Sequence, residues 1–335
     1  MTSLILIFGF LFGAILQSAK LNKYNTISGM ARLEDYTVAK AILVAIGVGA
    51  ILLNIEIGFG FATYHVKPLI LVGISFGGVI FGAGMAILGY CPGTMVVSLG
   101  EGSLDALVGI IGGIAGGIVY TLVEPTVKGM LGPDLGKISL QSAFGDGSIF
   151  YILLFVFGFA LVFLAFILDK MEGKKNFNWL YAGIMLAILD AIVFLTAVLD
   201  RPIGASTTYP YVGDLLSGLT QNDYFTAIQK PGNWELIFLL GAMLSGLVGS
   251  LLRKDFKIQL IHSGWSKTEG NSSAKRIIWS FVGGFILLFG ARMAGGCTSG
   301  HIISGGMQIA ASSLLFGAFV FAGLLITGKF FYRKG

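Results

Sequence analysis

The two cysteines of this chain lie in similar surroundings. Cys91 stands in the segment Gly-Tyr-Cys-Pro-Gly-Thr and Cys297 in the segment Gly-Gly-Cys-Thr-Ser-Gly-His. Each segment follows an apolar stretch that contains Phe-Gly-Ala, beginning at Phe81 in the first case and at Phe289 in the second. A thiol in apolar surroundings stays neutral and donates a weak S–H hydrogen bond, so it can contact an anion without repelling it. Two such thiols in glycine-rich breaks predict a pathway through a membrane, with sulfur chemistry at its narrowest part.

Side chains beside the cysteines extend the set of candidate path residues. Thr94, Thr298 and Ser299 add hydroxyl donors. His301, four residues after Cys297, either donates to a substrate or bonds a neighbouring backbone carbonyl. Taken separately, each cysteine is more often a small buried hydrophobe. A disulfide between the two would form a static clamp instead of a path.

A charge inside an apolar stretch is a second signal. Arg292 falls within a predicted span, where charged side chains are costly and usually functional. It can attract an anion, or it can form a structural ion pair with Asp190 or Glu56. The hydroxyl-rich loop that holds Ser206 and Thr207 suits the wall of a vestibule, although ordinary loop chemistry explains it equally well.

Composition places the chain among membrane proteins. Hydrophobic residues make up 55% of the sequence and charged residues only 12%, whereas soluble domains carry roughly 25% charged residues. The 50 glycines permit close helix packing and backbone breaks that line cavities. Two cysteines are too few for a disulfide framework or a structural zinc site, and no cofactor is predicted. The sequence therefore predicts an all-α polytopic membrane protein.

Nine apolar stretches are predicted to cross the membrane as helices, since about 20 apolar residues span the hydrocarbon core. Short segments after Cys91 and after Cys297 are predicted to re-enter the membrane as half-helices. The predicted spans cover residues 4–17, 37–62, 69–90, 104–123, 148–168, 179–199, 234–252, 277–295 and 311–331.

The distribution of basic residues indicates the orientation. With the amino terminus outside, sixteen of the 22 Lys and Arg residues fall in cytoplasmic segments and five on the opposite side. Positive charge is enriched in the cytoplasmic loops of membrane proteins. The amino terminus is therefore predicted to be periplasmic and the carboxyl terminus cytoplasmic. The net charge of +5 then needs no nucleic-acid partner.

The chain is predicted to form one transmembrane domain, residues 1–335, built from two related units. The first unit covers about 1–126 and the second about 178–335, with a connector span at about 148–170. An odd number of crossings separates corresponding elements, so the second unit is predicted to be inverted relative to the first. Inverted repeats with broken helices near the midplane are a common architecture of secondary transporters.

The first cysteine segment alone is a weak motif, but the presence of both cysteine segments in one chain, about 200 residues apart, is specific for a family. The second segment extends to Gly-Ala-Arg-Met-Ala-Gly-Gly-Cys-Thr-Ser-Gly-His-Ile-Ile-Ser-Gly, and the chain opens with Gly-Phe-Leu-Phe-Gly-Ala-Ile-Leu-Gln at 9–17. Together these segments resemble the YeeE/YedE family of bacterial inner-membrane proteins. The resemblance implies thiosulfate uptake along a central path, with the anion passed between Cys91 and Cys297 by S–H···S contacts. Members with a third cysteine carry it shortly after the first helix, where this chain offers the amides of Asn22 and Asn25.

The leading interpretation is a permease, and not an enzyme, that imports a small sulfur-containing anion, most simply thiosulfate, across a bacterial inner membrane. The spans contact membrane lipid, and the resemblance implies a soluble sulfurtransferase-like partner on the cytoplasmic side. Sulfite, sulfide, a polysulfide or a selenium species stay open as cargo. The rival interpretations are a membrane thiol–disulfide redox enzyme that uses Cys91 and Cys297, and a structural scaffold for another membrane complex.

Overall fold

Helices form the secondary structure of the residues that the computed structural model describes, 1–174 and 176–332. Over those residues the only β-pairing is in isolated bridges, which confirms the all-α class. Lys175, Arg333 and Lys334, which contribute to the predicted charge asymmetry, lie outside the described residues. The helices in chain order are α1 Thr2–Ser18, α2 Tyr24–Ala31, α3 Thr37–Gly58, α4 Leu71–Leu88, α5 Pro92–Gly100, α6 Leu104–Val127, α7 Leu140–Phe144, α8 Ser148–Glu172, α9 Asn178–Phe194, α10 Thr208–Ser217, α11 Asp223–Leu252, α12 Ser263–Glu269, α13 Ser273–Met293, α14 Ser304–Met307 and α15 Ala311–Phe331.

Seven of the described helical segments are long and apolar enough to cross a membrane. Two shorter apolar helices, α1 and α9, stand where the sequence predicts further crossings. The chain is therefore a multi-pass membrane protein. The count of nine crossings stays a prediction, because α1 and α9 are shorter than the length that about 30 Å of hydrocarbon requires.

Several helix ends differ from the prediction by up to four residues, and two differ by five or more. Helix α11 begins at Asp223 rather than at residue 234, because the Asn222 side chain accepts a hydrogen bond from the Phe225 N–H at 2.7 Å and caps the helix there. Helix α9 ends at Phe194 rather than at residue 199, and Leu195 pairs instead with the segment that follows α3. Hydropathy detects neither a polar cap nor a bridge between distant segments, so it misplaces these ends.

The two halves of the chain are interleaved, because helices of the first half pack directly on helices of the second half. Helix α4 packs on α13 and on α15, and α13 also packs on α6. Helix α1 packs on α11, while α3 packs on α9 and α8. The contact between α4 and α13 is close because it is lined by glycine: a Cβ added at Gly290 would lie 2.6 Å from the Phe81 nitrogen. This arrangement brings the two cysteine segments together at the centre.

Candidate functional site

The first cysteine caps a short helix. Gly89 ends α4 with a left-handed φ of +80°, and Cys91 is the residue that precedes α5. The Thr94 hydroxyl accepts a hydrogen bond from the Cys91 N–H at 2.8 Å and lies 3.3 Å from the Cys91 Sγ. Tyr209, which sequence reasoning did not single out, donates its hydroxyl to the Pro92 carbonyl at 2.7 Å. These contacts fix the thiol at the amino-terminal end of α5.

The second cysteine is held in a similar way. Gly295 follows α13 with a φ of +74°, and Cys297 precedes a π-helical turn, Thr298–Ile303, that continues into α14. The Cys297 Sγ lies 3.4 Å from the Ser299 hydroxyl. The Thr298 hydroxyl oxygen is buried without a hydrogen-bond partner among the described residues. Because buried polar atoms are normally paired, this hydroxyl is available to a ligand.

Both thiols line one narrow cavity. Cys91 and Cys297 are free cysteines, so the structure holds no disulfide clamp between them. The cavity has a volume of about 40 Å³, which is room for a few water molecules at most. We call it the cysteine cavity. Its other walls include Thr94, Thr298, Ser299, Phe12, Leu16, Leu21, Ile27, Val38, Ala41, Ile42, Met85, Gly93, Leu186 and Ile303.

A second, larger cavity of about 520 Å³ lies near the carboxyl end of α13. We call it the vestibule. Four basic side chains line it, together with only two carboxylates, and clefts dominated by one sign of charge concentrate ions of the opposite sign. The charged lining residues are Lys67, Lys128, Arg201, Arg292, Glu124 and Glu235.

Arg292 faces hydroxyl groups in the vestibule. It donates to the Tyr224 hydroxyl at 2.7 Å, to the Thr207 hydroxyl at 3.2 Å and to the Ser206 hydroxyl at 3.4 Å. Among the described residues, no carboxylate oxygen lies within 4.0 Å of its guanidinium. The structure thus joins three residues that the sequence predicted separately, and it leaves the charge of Arg292 unneutralised by a direct ion pair.

The two alternative partners for Arg292, Asp190 and Glu56, form no ion pair with it. Asp190 accepts hydrogen bonds from the Ile203 N–H at 3.2 Å and from the Ser304 hydroxyl at 2.6 Å. One carboxylate oxygen of Glu56 is buried without a partner in the described part of the chain. Neither carboxylate lies within 4.0 Å of the Arg292 guanidinium, so the alternative of an ion pair with Asp190 or Glu56 is wrong.

The second cysteine segment separates the two cavities. Gly295 and Gly300 line the vestibule, whereas Cys297 and Ser299 line the cysteine cavity. The Lys67 ammonium donates to the Gly295 carbonyl at this boundary. This segment therefore forms the boundary between the vestibule and the two thiols. Lys67 is one of the five basic residues that the predicted orientation places outside the cytoplasm, and the sequence predicts no further role for it.

The two asparagines after α1 lie in different places. Asn22 is fully buried, and its amide donates to Glu101 at 2.8 Å and to the Ser98 hydroxyl at 3.3 Å. Its carbonyl oxygen has no partner among the described residues. Asn25 is exposed, and its side chain accepts from the Gly264 N–H at 2.8 Å at the start of α12. Neither residue lines the cysteine cavity, and their roles in the path stay predictions.

His301 lies behind the second cysteine segment. Its ring is fully buried, with Nδ1 2.7 Å from the Ser313 hydroxyl and Nε2 3.2 Å from the Ala294 carbonyl. The ring also stacks on Phe316 with 4.8 Å between centroids. Both nitrogens are therefore occupied by protein atoms, which agrees with the interpretation that His301 bonds a backbone carbonyl.

A buried ion pair supports the first cysteine segment, and sequence reasoning missed it. Arg276 and Asp105 are both fully buried, with 2.5 Å between the Arg276 Nη2 and the Asp105 carboxylate. The guanidinium lies over the rings of Tyr24 and Trp265, 4.4 Å and 4.6 Å from their centroids. It also donates to the Leu88 carbonyl at 2.8 Å, just ahead of Cys91. Position 276 directly precedes the predicted span 277–295, so the sequence predicts Arg276 as one of the sixteen cytoplasmic basic residues.

The fold and the candidate site together define the class of protein. Helices from both halves of the chain enclose a narrow cavity with two free thiols, and a basic vestibule lies beyond one short segment. A buried, segmented cavity inside a multi-pass helical protein is the arrangement of a membrane transporter.

Comparison with known proteins identifies the family. Residues 18–326 match the sulphur transport family, so the chain belongs to that family. A thiosulfate transporter, TsuA of Spirochaeta thermophila, is 26% identical over 98% of this chain and 98% of its own length. A second thiosulfate transporter, TsuA of Escherichia coli, is 21% identical over 88% of this chain and 85% of its own length. The protein is accordingly a sulfur-compound transporter and not an enzyme.

Proposed function

We propose that this protein imports thiosulfate, which collects in the vestibule and then passes the thiols of Cys91 and Cys297. The observation that carries the proposal is the meeting of two free thiols in one cavity, with a basic vestibule on the other side of a single short segment. Two relatives named as thiosulfate transporters match most of the chain, which supports thiosulfate as the cargo.

The chemistry of the cysteine cavity suits an anion in transit. Neutral S–H and O–H groups donate weak hydrogen bonds, and conduction favours several weak sites over one strong site, because strong binding traps the ion. The first N–H groups of α5, next to Cys91, add a partial positive charge. Thr94, Thr298 and Ser299 supply hydroxyls within the same cavity. Each contact replaces part of the hydration that the anion loses.

Helix pairing supports the proposed inverted repeat. The pair α1–α11 corresponds to the pair α9–α3, and the pair α6–α13 corresponds to the pair α15–α4. Exchanging the two halves of the chain converts each pair into the other. We infer that residues 1–335 form one transport domain, with units at about 1–126 and 178–335 joined by a connector at about 148–170. The nine predicted crossings fit this scheme.

The proposed placement is the bacterial inner membrane, with the amino terminus in the periplasm and the carboxyl terminus in the cytoplasm. The excess of basic residues in the predicted cytoplasmic segments supports it. In this orientation the vestibule faces the periplasm, where an anion arrives. A sulfurtransferase-like protein in the cytoplasm would remove the cargo and so sustain inward flux.

Uptake of radiolabelled thiosulfate by cells lacking their own sulfate and thiosulfate importers tests this function. We expect the intact protein to support uptake, and Cys91→Ala and Cys297→Ala to abolish it at matched membrane expression. Ser217→Ala, an exposed position outside both cavities, serves as the control and should transport normally.

The outcomes separate the parts of the proposal. No uptake by a well-expressed intact protein would refute thiosulfate, and the same cells would then be tested with sulfite, sulfide and selenium compounds. Uptake that survives both cysteine replacements would refute the thiol path but leave a thiosulfate transporter.

A further inference from the structure

Two basic side chains hold the backbone just ahead of the two cysteines, and each reaches across from the other half of the chain. Arg276, on α13, donates to the carbonyls of Ile87 and Leu88 ahead of Cys91. Lys67, between α3 and α4, donates to the Gly295 carbonyl ahead of Cys297. The two cysteine segments are thus held in similar ways, but by different cations.

Arg276 is a fixed support. Its guanidinium is fully buried, pairs with Asp105 and lies between two aromatic rings. Moving it away would leave the Asp105 carboxylate buried without its cationic partner, which is strongly unfavourable. The first cysteine segment is therefore anchored.

Lys67 is held much less firmly. The side chain is half-buried, and within the described part of the chain its ammonium is paired with one neutral carbonyl and with no carboxylate. The Lys67 backbone is fixed, because its carbonyl accepts from the Ser312 hydroxyl at 2.9 Å. The ammonium can therefore move while the segment that carries it stays in place.

The position of Lys67 connects the two cavities. It lines the vestibule with Arg201 and Arg292, and it contacts the segment that separates the vestibule from Cys297. The bond from the Lys67 ammonium to the neutral Gly295 carbonyl has one charged partner, whereas an anion adds direct Coulombic attraction to the ammonium. An anion that reaches the floor of the vestibule therefore competes well with the Gly295 carbonyl for the ammonium. The other charged groups on the vestibule wall are Lys128, Glu124 and Glu235.

We propose that Lys67 binds the transported anion at the floor of the vestibule, exchanging the Gly295 carbonyl for the anion and so freeing the second cysteine segment to move. This inference rests on the proposed function and adds a binding residue to it. Binding and release are coupled, because an anion attracts the ammonium toward itself and away from the neutral Gly295 carbonyl.

Three replacements of Lys67 separate its charge from its hydrogen bond. Lys67→Arg keeps both, Lys67→Gln keeps an N–H donor for the Gly295 carbonyl without the charge, and Lys67→Met keeps neither. Lys230→Met is the matched control, since Lys230 is exposed and lies outside the vestibule lining. The measurement is the KM and maximal rate of thiosulfate uptake at matched membrane expression.

We expect the KM to rise about tenfold or more in both Lys67→Gln and Lys67→Met, as befits loss of a hydrogen bond to a charged group. Lys67→Arg and Lys230→Met should keep a KM within about twofold of the intact protein. If Lys67→Met is poorly produced, the comparison of Lys67→Gln with Lys67→Arg shows whether the charge at position 67 sets the KM.

Two results would overturn this inference and leave the proposed function intact. One is an unchanged KM in Lys67→Gln and Lys67→Met. The other is a normal KM in Lys67→Gln with loss of transport in Lys67→Met, which would make Lys67 a clamp on the backbone only. Absence of thiosulfate uptake by the intact protein would instead refute the proposed function, and this inference with it.

Discussion

Replacing Arg276 with methionine should destabilise the protein severely. The change removes a fully buried guanidinium that lies 2.5 Å from the Asp105 carboxylate. It also removes donors to two backbone carbonyls and contacts with two aromatic rings. Breaking a buried ion pair from one side costs about 3–5 kcal/mol, because the remaining charge stays buried without its partner. We expect Arg276→Met to lower the free energy of unfolding by that amount.

A double-mutant cycle measures how much of this loss belongs to the pair. Asp105→Asn removes the other charge, and the double variant leaves neither charge unpaired. Its loss in the free energy of unfolding should therefore be smaller than the sum of the two single losses by about 1–3 kcal/mol. The assay is denaturation of the purified protein in detergent, followed by tryptophan fluorescence, to which Trp265 beside the pair contributes.

Lys275, the residue next to Arg276, provides the control. Its ammonium pairs with Glu269 at 2.6 Å, but the Lys275 side chain is 43% exposed. Ion pairs near the surface contribute about 1 kcal/mol or less, so Lys275→Met should have a small effect. Equal destabilisation by Arg276→Met and Lys275→Met would refute the reasoning, as would full additivity in the double variant.

Two further predictions concern the cysteine segments and the vestibule. Burial and the nearby charge of Arg292 lower the pKa of Lys67 from its usual value to about 8, so the ammonium is charged below that pH and neutral above it. The charge of thiosulfate does not change between pH 7 and pH 9, so the KM for thiosulfate should rise over that range in the intact protein and stay flat in Lys67→Arg. A flat profile in both proteins would contradict this prediction. Gly295 has a left-handed φ and open space around it, so Gly295→Ala should cost only the backbone term of about 1 kcal/mol. Gly89→Ala should cost more, because a Cβ there also collides with the ring of Tyr24; equal melting temperatures of the two variants would show that this collision is absent.

Much of the helical framework could be predicted, because a membrane-spanning helix needs only a long apolar stretch. Helix α15 ends and begins where the sequence predicts, and α6 and α8 begin at the predicted residues. Helix α11 is longer than predicted because a polar cap at Asn222 starts it before the apolar stretch. The outcome differs between these helices because hydropathy reports burial in lipid, whereas caps depend on single side chains.

The candidate site could be predicted only where its residues are neighbours in sequence. Cys297, Thr298 and Ser299 follow one another, and the structure places all three in one cavity. Asn25 resembles a path residue by type, yet it is exposed and bonds the start of α12. The Gly295 carbonyl is 228 residues from Lys67 and the Asp105 carboxylate 171 residues from Arg276, so no local pattern reveals these partners.

The sequence by itself determined the class of the protein and its chemistry. An apolar chain with few charges must enter a membrane as helices, and two cysteines in glycine-rich breaks must lie where helices are interrupted. Only the tertiary structure decided that both thiols meet in one cavity, that Arg292 faces hydroxyls and not a carboxylate, and that Lys67 lies between the two cavities. Composition and periodicity describe each segment separately, whereas these contacts depend on how the two halves of the chain pack against each other.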